Sequence, residues 1–256
     1  MATPLFDLTG KVALITGGSK GLGKAMARGF AEAGADIVIC SRHANELEQA
    51  LPEILKGTSV RGKSFVVDMT DRKAVQSFGE AAIAAMGKVD ILLNNAGSNV
   101  PQEIDVATDE QWDRIIELNL SSCMALSRAV IPQMKQRKWG RIIHISSVMG
   151  LASKEGRGCY SATKAALIGL ARAMALELGA HGITCNCIAP GPFATDLPMS
   201  VLSEAEQQQF ASRTALGRWG DPRELAGPAL LLASDAGSYI TGTTLLVDGG
   251  NLCKTF

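Results

Sequence analysis

Short apolar runs alternate with longer amphipathic segments along almost the whole chain. The apolar runs are continuous and rich in β-branched residues, which is typical of strands in a parallel sheet that is covered on both faces. These runs lie at 12–16, 36–41, 63–68, 89–93, 141–146, 184–189 and 244–247. The segments between them have helical periodicity and lie near 22–33, 43–56, 71–86, 109–136, 157–179 and 221–233.

Strand–helix alternation of this kind implies right-handed crossovers between parallel strands. We therefore predict an α/β fold: a Rossmann-type, doubly wound parallel sheet of about seven strands with helices on both faces. No linker, repeat or low-complexity tract interrupts the pattern, so residues 1–256 are expected to form a single domain.

Composition narrows the class of function. The 256 residues include 25 basic and 25 acidic side chains, so no basic excess favours a nucleic acid or an anionic membrane as partner. The N-terminus lacks the pattern of a signal peptide, and no apolar run approaches eighteen residues. The six cysteines form no CxxC or Cys/His cluster, so we expect free thiols, no metal site and a cytoplasmic location.

A glycine-rich turn follows the first strand directly. It reads Thr16-Gly-Gly-Ser-Lys-Gly-Leu-Gly23, and a helix begins within it. Free backbone N–H groups and the helix dipole at such a place attract a pyrophosphate, although many α/β loops need glycine for structural reasons alone. We favour dinucleotide binding. The candidate contacts are Gly17, Ser19, Lys20, Gly21, Leu22 and Gly23.

The end of the second strand bears on which dinucleotide is bound. An NAD site usually has an acidic residue here for the ribose hydroxyls, but the sequence reads Ser41-Arg42, and Asp36 lies at the wrong end of the strand. Arg42 and Lys20 would suit a 2′-phosphate, so NADP(H) is preferred over NAD(H). The alternative is that both are ordinary surface bases.

The next two strand ends supply further candidates, because parallel strand ends line the ligand crevice. Asp68 and the following Met69 could contact an adenine, although Asp68 also suits the start of a helix. Asn94 could brace the strand ends, and Asn95-Ala96-Gly97 offers a small loop that a cofactor can approach. Either asparagine could equally be a turn former.

Tyr160 and Lys164 lie four residues apart on a predicted helix and therefore share one face. An ammonium group beside a tyrosine hydroxyl favours the phenolate and so assists proton transfer. Ser147, thirteen residues upstream at a strand end, could hydrogen-bond the same reacting oxygen. Taken alone, this spacing is more often just a helix face.

The joint pattern resembles the classical short-chain dehydrogenase/reductase family from about residue 10 to residue 250. The shared motifs are Thr16-Gly-x-x-x-Gly-x-Gly23, Asn94-Asn-Ala-Gly97, Asn119, Ser147, Tyr160-x-x-x-Lys164 and Pro190-Gly191. The resemblance implies an alcohol–ketone oxidoreductase in which the cofactor supplies the hydride. Overall similarity suggests a 3-oxoacyl-carrier-protein reductase, with a related sugar or sugar-acid dehydrogenase as the alternative.

The resemblance also implies individual roles. Tyr160 is expected to be the general acid/base, and Lys164 to assist it and hold the nicotinamide ribose. Ser147 would position the reacting oxygen, and Asn119 would hold a water that links Lys164 to solvent. The contacts expected near the nicotinamide are Ile188, Pro190, Gly191 and Thr195.

His144 and Cys187 occupy positions where the family more often has asparagine and alanine. We interpret His144 as a hydrogen-bonded core histidine with no role in the reaction.

The predicted helix at 157–179 is apolar nearly all round, so we expect it to pack with the helix at 109–136 in a twofold interface, and the family suggests a homotetramer. Residues 192–216, with apolar anchors that include Leu197, are expected to form a substrate lid.

The substrate is left open by the sequence. Lys154 and Arg157 could meet an anionic substrate or simply be solvated, and Arg137, Lys138 and His181 could offer a docking patch for a carrier protein. The sequence also bears on two other classes of protein. A non-catalytic NADP-binding protein should lack Tyr160, Lys164 or Ser147, and a serine hydrolase should have a Gly-x-Ser-x-Gly motif, which is absent.

Overall fold

The computed structural model describes residues 4–195, 199–200 and 202–254. Within them, the central sheet has seven strands: β1 (Val12–Thr16), β2 (Asp36–Ser41), β3 (Gly62–Val66), β4 (Ile91–Asn94), β5 (Gly140–Ile145), β6 (Ile183–Pro190) and β7 (Thr244–Val247). All pairs are parallel, and the order is β3-β2-β1-β4-β5-β6-β7. The order reverses between β1 and β4, so the carboxyl ends of these two strands form the switch point where α/β folds bind ligands.

The helices are α1 (Gly21–Glu32), α2 (Ala44–Leu55), α3 (Arg72–Met86), α4 (Asp109–Ile116), α5 (Ser122–Arg137), α6 (Gly158–Leu178), α7 (Glu204–Ser212) and α8 (Ala226–Ala233). A π-helical turn, Glu117–Ser121, joins α4 to α5. Short 3-10 turns occur at Pro4–Phe6, Val148–Gly150, Gly179–His181, Pro222–Leu225 and Asp235–Gly237.

Two apolar layers enclose the sheet, because successive strand residues point to opposite faces. Val12 and Leu14 of β1 belong to the layer that packs against α3, α5 and α6. Ala13 and Ile15, which alternate with them, belong to the layer that packs against α1, α2 and α8. The predicted doubly wound α/β fold is confirmed.

The element bounds agree with the predictions at β1, β2 and β7 and differ at several other places. β3 ends two residues early, and the predicted helix at 109–136 is divided by the π-helical turn. Helix α7 was not predicted; its signal is a capping box, in which Ser203 and Glu206 satisfy each other's backbone N–H groups.

The stretch Asp109–Arg137 is the one helical segment within the described residues that is long and apolar enough to cross a membrane. Its apolar side chains Leu126, Val130 and Met134 are, however, fully buried in the layer beside α3 and α6. The core helices of soluble proteins pass the same length and composition test.

Candidate active site

The glycine-rich turn forms a cradle of backbone at the start of α1. Gly21 has a φ of +54°, a conformation that favours glycine, and a methyl group built on Gly23 would lie 2.3 Å from the Gly17 carbonyl oxygen. The N-cap residue of α1, Lys20, makes no side-chain capping hydrogen bond. The first-turn amides of α1 are therefore left for another acceptor, which fits the pyrophosphate of a dinucleotide.

Asn95 braces this turn from the neighbouring strand end. Its side-chain amide donates to the carbonyl oxygens of Thr16 (2.9 Å) and Gly17 (3.2 Å). The Thr16 hydroxyl in turn accepts from the backbone N–H groups of Asn95 (3.0 Å) and Ala96 (2.9 Å). The bracing role predicted for Asn94 thus belongs to the side chain of Asn95, and the cofactor contacts expected at 95–97 stay a prediction.

Asn94 instead points into the core. Its amide nitrogen lies 3.1 Å from His144 Nδ1 and 3.3 Å from the Ser127 hydroxyl. His144 is fully buried, which agrees with its interpretation as a core histidine. Burial lowers the pKa of His144 to about 4, and the positive charge of Lys164 acts in the same direction.

The predicted 2′-phosphate site contains an acidic group that the sequence analysis missed. The Glu46 carboxylate of α2 accepts hydrogen bonds from Ser19 Oγ (2.8 Å) and Ser41 Oγ (3.0 Å), and it forms an ion pair with Lys20 (3.2 Å). These bonds, with that of Ser19 first, hold the pKa of Glu46 below its ordinary value. The conclusion that no acid lies at this strand end is therefore wrong, because Glu46 arrives from the next helix.

Asp68 and Met69, both predicted to contact the cofactor, differ in how far their side chains are exposed. One oxygen of Asp68 accepts from the backbone N–H (2.9 Å) and the hydroxyl (2.8 Å) of Thr70, and these bonds lower the pKa of Asp68. Its side chain stays exposed at the strand end. The Met69 side chain is buried, with its sulfur 3.8 Å from Cys40 Sγ, and the expected cofactor contact of Met69 stays a prediction.

Lys164 is a buried cation at the centre of the predicted catalytic group. It is only 4% exposed, and its Nζ donates to the Ile145 carbonyl oxygen at 2.7 Å. The same Nζ lies 5.5 Å from the centre of the Tyr160 ring. The structure therefore brings the predicted tyrosine and lysine together on α6, beside the end of β5.

The end of β5 is fastened to the backbone of α6. Ser146 Oγ donates to the Lys164 carbonyl oxygen at 2.7 Å, and a methyl group built on Gly150 would lie 2.8 Å from that same carbonyl. Between them, Ser147 Oγ accepts from the Met149 backbone N–H at 3.1 Å. An accepting hydroxyl keeps its own proton, so Ser147 can still donate to a reacting oxygen.

Asn119 lies fully buried in the π-helical turn and joins the loop after β4 to α6. It accepts from the Ser98 backbone N–H (2.9 Å) and donates to the Ser98 carbonyl oxygen (2.9 Å) and the Thr163 hydroxyl (3.1 Å). Thr163 in turn donates to the Tyr160 carbonyl oxygen at 2.8 Å. Sequence reasoning missed this use of Thr163, and the water relay expected of Asn119 stays a prediction.

Gly97 completes the contact between that loop and the lysine. A methyl group built on Gly97 would lie 3.2 Å from Asn119 Oδ1 and 3.4 Å from Lys164 Nζ. An added methyl group would thus be tight against Asn119 and would come into contact with Lys164, so the loop packs closely against both groups.

The residues expected near the nicotinamide differ in their burial and surroundings. Ile188 is fully buried in the layer beside α1, and its expected contact with the nicotinamide stays a prediction. Gly191 needs its small size, since a methyl group would lie 2.7 Å from Asp248 Cα. Thr195 lies near the glycine turn, with its Cγ2 3.4 Å from a methyl group built on Gly21. Pro190 ends β6 beside them.

The predicted lid, residues 192–216, meets the loop before α6 that contains Lys154. Lys154 Nζ lies 5.5 Å from the centre of the Phe210 ring on α7, and that ring packs against Trp219 with their centres 5.4 Å apart. Trp219 Nε1 donates to the Gln207 carbonyl oxygen at 2.8 Å. The predicted lid anchor Leu197 lies outside the described residues.

Arg137, one of the three residues predicted to offer a docking patch for a carrier protein, makes contacts within the fold. Arg137 forms an ion pair with the buried Asp90 and donates to the Val89 carbonyl oxygen at 2.9 Å, so its guanidinium group has a structural role. Across the described ranges, no group of three or more His, Cys, Asp or Glu residues is suited to a metal ion.

Comparisons with known proteins agree with this geometry. Residues 11–206 match the short chain dehydrogenase family. The chain is 40% identical over 244 residues to the 3-oxoacyl-(acyl-carrier-protein) reductase of Escherichia coli, covering 95% of this chain and 98% of that protein. It is 39% identical over 253 residues to a 2-dehydro-3-deoxy-D-gluconate 5-dehydrogenase of Dickeya dadantii, covering 97% and 98%.

A solved structure is similar over nearly the whole chain. It is a 3-oxoacyl (acyl-carrier-protein) reductase from Agrobacterium tumefaciens with NADP bound, 31% identical, with a TM-score of 0.90 and 96% of each chain covered.

Proposed function

Because the chain belongs to the short-chain dehydrogenase family, and is an oxidoreductase acting on CH–OH groups, we propose that it reduces 3-oxoacyl thioesters with NADPH. The placement of Lys164 carries the proposal, because its Nζ is held by the Ile145 carbonyl and sets a buried cation near the Tyr160 ring. The 40% identity to the reductase of Escherichia coli supports the choice of substrate.

The cofactor supplies a hydride to the carbonyl carbon when it is bound. Tyr160 gives its hydroxyl proton to the carbonyl oxygen as negative charge develops there. Lys164 stabilises the resulting phenolate by its charge, and Ser147 donates a hydrogen bond that holds the reacting oxygen. Asn119 fixes the Ser98 loop over Lys164 and holds the proposed water through which Tyr160 is reprotonated.

NADP(H) is the proposed cofactor in preference to NAD(H). Lys20 in the glycine turn and the exposed Arg42 after β2 are cations suited to a 2′-phosphate. Titration of the protein with NADPH and with NADH tests this choice, and an equal or tighter affinity for NADH would contradict it.

A sugar-acid dehydrogenase is the second candidate, which the 39% identity to the Dickeya dadantii enzyme supports. Lys154 and Arg157, in the loop before α6, would meet the carboxylate of such a substrate. A panel of acetoacetyl thioesters, sugars, sugar acids and simple ketones, followed by NADPH absorbance, separates the two. Turnover of sugar acids with none of the thioesters would reject the reductase.

Tyr160→Phe tests the proposed acid/base. The variant removes only the hydroxyl, so we expect turnover to fall by at least a hundredfold while NADPH binding stays within about threefold of wild type. Steady-state rates and a fluorescence titration with NADPH give the two numbers. Retention of more than about a tenth of the wild-type rate would mean that another group transfers the proton.

We also propose a homotetramer in the cytoplasm, with residues 192–216 as a lid on a single domain. Its first twofold interface would use α5 and α6, where Met124 is 45% and Leu176 is 87% exposed. Exposed apolar side chains on neighbouring helices favour burial by a second copy. Tyr239, fully exposed before β7, suits the second interface. Light scattering at micromolar concentration tests this, and a monomer would refute it.

A further inference from the structure

Glu46 lies among the groups proposed to hold the 2′-phosphate, and it is not one of the family motifs identified in the sequence. Three donors from two separate segments converge on its carboxylate: Ser19 and Lys20 from the glycine turn, and Ser41 from the end of β2. Its side chain is 26% exposed, whereas that of Lys20 is 68% exposed. The carboxylate is thus the more enclosed partner of the cluster.

The chemistry of this cluster is that of an anion site. Two hydroxyls and an ammonium group can surround a phosphate as readily as a carboxylate, since both are oxyanions that accept several hydrogen bonds. The carboxylate comes from the first turn of α2, where the helix dipole also favours negative charge. The free protein therefore fills its own oxyanion site with an internal acid.

We infer that Glu46 is an internal competitor of the 2′-phosphate, and that it limits how strongly the enzyme prefers NADP(H) over NAD(H). A 2′-phosphate must take Ser19, Lys20 and Ser41 away from the carboxylate and then lie close to its negative charge. A ribose 2′-hydroxyl carries no charge and does not meet this repulsion. The inference rests on the proposed NADP(H) specificity and identifies Glu46 as the residue that reduces this preference.

A purely structural alternative is that Glu46 only fastens α2 to the glycine turn. The two cases differ in what happens when its charge is removed and its shape is kept. Under the structural alternative, Glu46→Gln loosens the turn and weakens every adenine nucleotide alike. Under competition, Glu46→Gln frees Lys20 for phosphate and strengthens only those ligands that carry a 2′-phosphate.

The matched control is Glu53→Gln. Glu53 lies on the same helix, two turns further on, and forms an ion pair with Lys24 at 2.5 Å, away from the glycine turn's hydroxyls. The substitution removes one negative charge from the same element and leaves the Glu46 cluster intact. It therefore corrects for a general change in the charge of α2.

The test measures dissociation constants by calorimetry for adenosine 2′,5′-bisphosphate and for 5′-AMP, which differ only in the 2′-phosphate. We expect Glu46→Gln to bind the bisphosphate at least about tenfold more tightly, or about 1.4 kcal/mol, with 5′-AMP within twofold of wild type. Glu53→Gln should change neither. Glu46→Ala, which also removes the acceptor, should move the bisphosphate in the same direction.

An unchanged or weaker affinity for the bisphosphate in Glu46→Gln would overturn the inference, as would an equal gain for 5′-AMP. Wild-type titrations with NADPH and NADH distinguish a failure of the proposed cofactor specificity from a failure of the inference about Glu46. If the wild type prefers NADH, the proposed cofactor specificity fails, while the ratio of bisphosphate to 5′-AMP affinity in the variants still reports on Glu46.

Discussion

Protonation of His144 should make the stability of the fold strongly dependent on pH. The ring is fully buried beside Asn94, and no polar group within the described part of the chain bonds its Nε2. Burial, reinforced by the charge of Lys164, lowers its pKa from 6.5 to about 4. The folded protein therefore keeps His144 neutral at a pH where the unfolded chain would protonate it.

The sign follows from which state binds the proton. Between pH 6.5 and about 4 the unfolded chain holds more protons at this position, so stability falls as the pH falls through that window. The full loss corresponds to about 3 kcal/mol, and about 2 kcal/mol of it should be lost by pH 5. Below pH 4 both states are protonated and the loss levels off.

The assay compares urea unfolding of the wild type and of His144→Asn at pH 8 and pH 5, at one fixed protein concentration. Asparagine keeps a polar partner for Asn94 but cannot take up the proton. Whatever its cost at pH 8, the variant should lose about 2 kcal/mol less than the wild type on acidification. His43→Asn removes an exposed histidine and should behave as the wild type does. If the wild type and His144→Asn lose stability in parallel, within about 0.5 kcal/mol, burial does not govern this group.

Two further substitutions test other buried contacts. Asp90 accepts from the Val12 backbone N–H at 2.8 Å and pairs with Lys88 and Arg137, so Asp90→Asn should lower the free energy of unfolding by about 2–4 kcal/mol. Urea unfolding measures this loss, and a loss below about 1 kcal/mol would contradict the prediction. Asn119→Ala releases the Ser98 backbone, so it should lower the free energy of unfolding by about 2–4 kcal/mol and reduce turnover by tenfold or more. Unchanged kinetics in the folded variant would show that the Ser98 loop keeps its position without Asn119.

The sequence could reveal those parts of the site that depend on local spacing. Tyr160 and Lys164 meet because four residues make about one helical turn, and the glycine turn lies at the start of α1 because it follows β1 directly. The alternation of apolar runs also predicts the sheet, since strands buried on both faces have a recognisable composition. Each of these features lies within one element or at one junction.

Contacts between distant segments could not be predicted in the same way. Glu46 reaches Ser19 across 27 positions, and only the packing of α2 beside α1 and β2 brings them together. The core position of Asn94 and the bracing role of Asn95 depend on which of the two neighbours turns toward the core, and a strand end does not fix that direction. The expected role of Ile188 comes from the family resemblance, and only the structure shows that strand alternation places its side chain in the layer beside α1.

The anchoring of Lys164 explains why Tyr160→Phe can separate proton transfer from cofactor binding. Lys164 is held by the Ile145 carbonyl through its Nζ and by Ser146 through its own carbonyl, and Gly150 packs against the same backbone. None of these contacts passes through the Tyr160 hydroxyl, so its removal leaves the ammonium group where the ribose would meet it. Weakening of NADPH binding in Tyr160→Phe in step with turnover would therefore show that the phenol, rather than the β5 backbone, positions the lysine.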